Sequence, residues 1–175
     1  MGAFTAYSIP IQGLKIGVHH YKYSVNADFF RHFEGAPIQE SELSFEVVLD
    51  KRPDMLLVDF NFAGYMVTEC DRCTATIKLP LSDERTLIFK YGEAEGETED
   101  EVVFIPRESS ELNLAAYLYE FSVLSLPMTN TYDCQSEPEP PCNFEILARI
   151  STEEEAEQKN ASVWDALKDL KTDDN

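Results

Sequence analysis

Basic side chains are few in this 175-residue chain. Only 14 Lys and Arg face 33 Asp and Glu, a formal net charge of −19 with histidine neutral. That deficit disfavours a broad phosphate-binding face, because a polyanion repels the nucleic-acid backbone at long range, and it favours a basic partner. Glycine is sparse as well, with 7 residues beside 9 prolines, which excludes collagen-like and low-complexity chains. No run of about 18 apolar residues occurs, so no membrane-spanning helix is predicted. Residues Met1 to Ala6 contain no basic stretch followed by an apolar one, and Ala6 stands where a myristoylation motif carries Ser or Thr. A cytoplasmic protein is expected.

Catalytic signatures are lacking too. Only three histidines are present, His19, His20 and His32, and the first two are neighbours on an expected strand, where side chains alternate between faces. There is no Gly-rich phosphate loop, nucleophile elbow or HExxH. The sequence therefore predicts no enzyme, no catalytic residue and no small-molecule substrate.

What is abundant is core material, at 43% hydrophobic and 11% aromatic residues, enough for one domain of this length. A single α+β domain is expected over residues 1–150, followed by an acidic tail over 151–175. Extended structure is predicted over Leu14 to Val25. A short helix capped by Asn26 and ended by Gly35 comes next, with Phe29, Phe30 and Phe33 on its buried face. Leu43, Phe45, Val47 and Leu49 alternate with polar residues, as do Leu56, Val58, Phe60 and Phe62, which predicts half-buried strands with a bulge at Gly64. A further strand through Ile77, Leu79 and Leu81 makes an antiparallel hairpin with Cys70-Asp-Arg-Cys73 at its tip. Residues 86–91 and 102–105 read as two more strands, joined by a connection that holds six acidic residues and no basic one.

Leu112, Ala115, Ala116, Tyr119 and Val123, widened by Leu118 and Phe121, recur at helical spacing and predict a buried helix over 111–125 that ends before Pro127. Tyr117, Tyr119 and Phe121 are read as core within it, not as a base-stacking platform. The prolines of Gln135 to Pro141 require an exposed connection. A short C-terminal helix follows through Ile146, Leu147 and Ile150, and Trp164, Leu167 and Leu170 form a small apolar stripe in the tail. The expected architecture is an antiparallel sheet or partly closed barrel packed against the 111–125 helix.

The sharpest chemical feature is the cysteine set, Cys70-x2-Cys73 and Cys134-x7-Cys142. A two-residue spacer lets both thiolates of a turn face one cation, and tetrahedral zinc takes four such ligands from two chain segments. Cys70, Cys73, Cys134 and Cys142 are accordingly the candidate ligands of a structural zinc. Four thiolates leave no open position for water or substrate, so the metal staples and does not catalyse. A CxxC thiol oxidoreductase is the competing reading, although the motif lies between strands and not at a helix N-terminus.

Cys70-Asp-Arg-Cys73, then Tyr119-Glu-Phe-Ser-Val-Leu-Ser-Leu-Pro127, then Cys142 with Asn143-Phe-Glu-Ile-Leu147, and finally Trp164-Asp-Ala-Leu-Lys-Asp-Leu-Lys171, occur in one order. Together they resemble the YceD family of large ribosomal RNA subunit accumulation proteins in its Bacteroidetes-like form. Two departures stand out. Ala161-Ser162-Val163 replaces the Asp-Pro-Arg usual before the tryptophan, and Tyr132 stands where relatives often carry His, with Cys134 nearby as a replacement ligand.

The resemblance implies a non-enzymatic role in accumulation of large-subunit ribosomal RNA and in large-subunit assembly, with Arg72 and Glu120 part of the family pattern. Relatives are commonly encoded beside a small basic zinc-ribbon ribosomal protein, which makes a basic large-subunit protein the expected partner. The rival is direct contact with ribosomal RNA through a local basic patch drawn from residues such as Lys15, Lys22, Arg31, Lys51, Arg52 and Arg72.

Overall fold

A computed structural model describes residues 4–38, 40–93 and 101–159. The acidic connection is therefore described only at its ends, and the Trp164 to Lys171 stripe lies outside the described residues. Two compact units are present, one made of Met1–Thr68 with Lys78–Met128, the other of Glu69–Ile77 with Thr129–Asn175.

The first unit is organised by long strands whose apolar residues alternate. Strand β1 is Ser8–Ile9, β2 Gly17–Asn26, β3 Glu40–Lys51, β4 Met55–Glu69, β5 Thr76–Tyr91, β6 Val102–Ile105 and β7 Leu112–Asn113. Strands β2 to β6 form one five-stranded sheet in sequence order, and β1 pairs with β7 in a separate two-stranded ladder. The β2–β3 and β3–β4 pairs are antiparallel and in continuous register, with Tyr23 opposite Phe45 and Phe45 opposite Phe62. Because side chains alternate along a strand, this register puts Val25, Leu43, Phe45, Val47, Leu49, Leu56, Val58, Phe60 and Phe62 on one face, and all nine are buried. Lys22 and Glu46 meet on the other face as a cross-strand ion pair of 2.5 Å.

Among the described residues the α-helices are α1 Ala27–Phe30 and α2 Ala115–Leu124 in the first unit and α3 Phe144–Lys159 in the second. Asn26 caps α1 through its side chain, which accepts from the backbone N–H of Asp28 and Phe29. Helix α2 buries Ala115, Leu118, Phe121 and Ser122. Phe121 meets the ring of Phe60 edge-on at 5.1 Å, Tyr117 meets Phe89 at 5.3 Å, and Tyr119 stacks on Phe33 at 4.0 Å. Those contacts settle the role of the three aromatic residues as packing.

The α+β class and mostly antiparallel sheet agree with the sequence reading, and five details differ. The sheet is open, with β2 and β6 as edges, so the partly closed barrel is not formed. Strands β5 and β6 pair in parallel, Ile88 opposite Val102. The helix expected over 111–125 starts at Ala115, because Leu112 and Asn113 pair with β1 and the Asn113 side chain accepts from the N–H of Ala115. Gly64 forms no bulge against β3. It pairs directly with Leu43, and a Cβ there would lie 2.0 Å from the carbonyl oxygen of Glu42, so the glycine serves close strand approach. Helix α1 also stops short of Gly35, which ends the following turns at φ 72 and leaves Phe33 half-buried.

Among the described residues, no helix is long and apolar enough to cross a membrane.

Candidate cysteine centre

All four cysteines belong to the second unit, which joins the turn after β4 to the chain from Thr129 onward. The turn is closed by the Cys70 N–H donating to the Ala75 carbonyl and the Thr74 N–H donating to the Cys70 carbonyl, each at 2.8 Å. Closing so tight a loop places Thr74 at φ 55, the left-handed region that a β-branched residue rarely enters. The turn is tied to the downstream chain by a reciprocal clamp. The Asp71 N–H donates to the Asn130 carbonyl at 2.8 Å, and the Asn130 N–H donates to the Asp71 carboxylate at 2.6 Å.

This geometry focuses donors on one sulfur. Cys70 and Cys73 are free thiols, 1% and 0% exposed. Burial pushes the Cys70 thiol up, yet backbone N–H groups of Tyr132, Arg72 and Cys73, together with the Cys73 thiol, donate to its sulfur and leave it below the ordinary thiol value. Convergent N–H donors of this kind stabilise a thiolate, the form in which cysteine binds metal.

The second cysteine pair differs. Cys134 and Cys142 are joined in a disulfide of 2.06 Å across the proline-containing connection, and both are half-buried. The Arg72 guanidinium donates to the Cys134 Sγ at 3.0 Å, so the turn carrying one pair touches a sulfur of the other. The four expected metal ligands are thus divided two and two in this oxidation state, and sulfurs that share a covalent bond offer no free thiolates. Among the described residues, no three or more His, Cys, Asp or Glu side chains gather as a metal-binding group.

Around the disulfide, Arg72, Cys134, Phe144, Leu147 and Ile150 line an open groove of about 610 Å³. Helix α3 starts there, with the Asn143 side chain accepting from the Ile146 N–H, and Phe144 stands 59% exposed. The helix runs on past residue 150 to Lys159, through the point at which the sequence places the start of the tail. The Tyr132 hydroxyl donates to the Glu137 carboxylate.

The histidines do not converge. His19 bonds the Lys15 carbonyl at 2.8 Å, His20 is exposed on the opposite face of β2, and His32 meets the edge of Phe4. Four of the six basic residues named as a possible RNA patch are engaged locally. Lys22, Arg31 and Arg52 are paired with Glu46, Asp28 and Asp50, and the Lys51 ammonium donates to the carbonyls of Ile11 and Leu14. Glu120 is exposed, and its charge adds to burial in raising the Tyr117 hydroxyl.

Sequence reasoning missed the Asp71–Asn130 clamp, the Arg72 contact and the strained Thr74. An Asp inside a CxxC turn was the one available signal, since short carboxylates there capture backbone donors.

A family model described as Large ribosomal RNA subunit accumulation protein YceD matches residues 58–171. No curated protein and no solved structure matches the chain.

Proposed function

We propose, given that the chain belongs to the YceD family, that it supports accumulation of large-subunit ribosomal RNA by binding a basic large-subunit ribosomal protein in the cytoplasm before that protein meets RNA. The family match carries this reading, since it spans the whole cysteine centre and most of the sheet from β4 onward. The net charge of −19 supports a basic protein over RNA as the direct partner, because complementary charge steers capture and like charge opposes it. The local pairing of Lys22, Arg31 and Arg52 with carboxylates supports the same choice, since each such pair offers phosphate no net charge. The role is non-enzymatic and needs neither a membrane nor a small-molecule substrate.

Within this reading, Cys70, Cys73, Cys134 and Cys142 hold a structural zinc when all four are reduced. The thiolate-stabilising donors around Cys70 and the Arg72 link to Cys134 support that ligand set. Zinc bound there staples the turn after β4 to the chain beyond Thr129, and no substrate chemistry passes through it.

Binding of the purified chain to individual basic large-subunit proteins, measured by calorimetry across a salt series, tests the proposal. Tight binding that weakens steadily as salt rises is expected. Absence of binding to every such protein, with salt-dependent binding to ribosomal RNA in its place, would favour direct RNA contact.

A further inference from the structure

Helix α3 opens with an aromatic ring left in water. Phe144 is 59% exposed, and Leu147 and Ile150, at i+3 and i+6 from it, are half-buried along the same open groove. An aromatic anchor flanked by aliphatic side chains is the composition of an interface centre rather than of a solvated helix face. The surroundings are acidic. Among the described residues that line the groove, Arg72 and Asp133 are the charged ones, and the Arg72 guanidinium is engaged by the Cys134 sulfur. Glu137 and Glu139 stand exposed on the connection, and the second half of α3 carries Glu153, Glu154, Glu155 and Glu157. Arg149, on the same helix, is bound to Glu145 at 2.6 Å. Residues 129–175 hold 12 acidic and 4 basic side chains, so this part of the chain carries a large share of the net negative charge. Glu153 and Glu157 are four positions apart and Glu154 and Glu157 three, spacings at which like charges destabilise a helix, and the run falls toward the negative end of the helix dipole. A cationic partner relieves both costs. Ile16 and Val18 are exposed apolar residues of the first unit, yet the stretch from Lys15 to Val25 has no acidic residue, so that edge does not attract a cation.

We propose that the groove at the start of α3 is the docking surface for the basic partner, and that it takes a basic amphipathic segment of that protein. An apolar side chain of the segment seats against Phe144, Leu147 and Ile150, and flanking Lys or Arg side chains answer the carboxylates of α3. This deepens the function proposed above and rests on it. The apolar contact supplies affinity and the carboxylates supply steering, so the two contributions separate in experiment. Loss of the ring speeds dissociation, whereas loss of the carboxylates slows association and flattens its dependence on salt.

The experiment uses the full chain and the purified basic large-subunit proteins of the calorimetric series. Three variants are compared with wild type: Phe144→Ala, a combined Glu153→Gln, Glu154→Gln and Glu157→Gln chain, and Val18→Ala as an exposed apolar control on the sheet. Circular dichroism verifies that each is folded. Phe144→Ala is expected to weaken binding roughly tenfold or more, the effect of removing an aromatic anchor, with the salt dependence kept. The glutamine chain is expected to bind with a shallower salt dependence, and Val18→Ala to bind as wild type does. Wild-type binding that Phe144→Ala leaves unchanged overturns the groove and keeps the functional reading intact. No binding of wild type to any basic protein overturns that reading and the groove with it. Three other occupants have their own signatures, each of which overturns the proposal. Binding of ribosomal RNA that Phe144→Ala abolishes assigns the groove to RNA, and a sedimenting dimer that Phe144→Ala dissociates assigns it to a second copy of the chain. Trp164 is the single tryptophan, so a red shift of its emission in isolated Phe144→Ala assigns the groove to the chain's own C-terminal segment.

Discussion

At the scale of single residues, Cys70 and Gly64 each answer to a close approach of backbone. Donors from Tyr132, Arg72 and Cys73 surround the Cys70 sulfur, so its ionisation is displaced downward from the ordinary 9.0 despite burial. The group loses its proton more readily in the folded chain than in the unfolded one. Its contribution to stability is thus present above the unfolded value and is lost as pH falls through the folded one. In metal-free, chelator-treated protein, thiolate absorbance near 240 nm is expected to rise at a pH below the ordinary thiol range, and Cys70→Ser to remove that early rise. Gly64 is a simpler case. A methyl group there meets the Glu42 carbonyl oxygen at 2.0 Å and the Leu43 Cα at 2.9 Å, both backbone atoms that yield only if the strands part. Gly64→Ala is expected to cost roughly 1–3 kcal/mol in denaturant unfolding, the range for forced overpacking.

At the scale of elements, the strands were legible because alternation at period two is a direct record of a face. Leu43 to Leu49 and Leu56 to Phe62 are buried as that pattern requires. The α2 start was less legible. Leu112 fits a helical stripe and an inward-facing strand position equally well, and only the pairing of Leu112 with Ile9, a contact between distant parts of the chain, decides for the strand. The parallel β5–β6 pairing was hidden for a similar reason, since a period-two pattern carries no strand direction. In the cysteine centre the spacing of Cys70 and Cys73 announced a shared turn. The partition of the four sulfurs into a dithiol and a disulfide depends on oxidation state, which no spacing encodes.

The β2 edge gives this scale its own prediction. The Tyr23 hydroxyl is pushed up to about 12 by burial and by the neighbouring Tyr21 charge. An unfolded tyrosine ionises near 10.0, so between that pH and about 12 the unfolded chain releases a proton that the folded chain keeps. The contribution is complete below the unfolded value and disappears as pH rises through this window. Stability measured by urea unfolding is expected to fall more steeply there in wild type than in Tyr23→Phe. Equal slopes would show that Tyr23 ionises as it does in the unfolded chain.

For the whole molecule, charge and family membership point the same way. A net charge of −19 opposes association with the RNA backbone and favours a basic protein, the partner proposed above. The YceD match across 58–171 supplies the large-subunit context that charge alone does not. The most direct measurement is the ratio of large-subunit to small-subunit ribosomal RNA in cells depleted of this protein, with and without re-expression of the intact chain. A ratio that falls on depletion and is restored by re-expression is expected. A ratio that stays unchanged while growth and protein loss are verified would contradict the role proposed here.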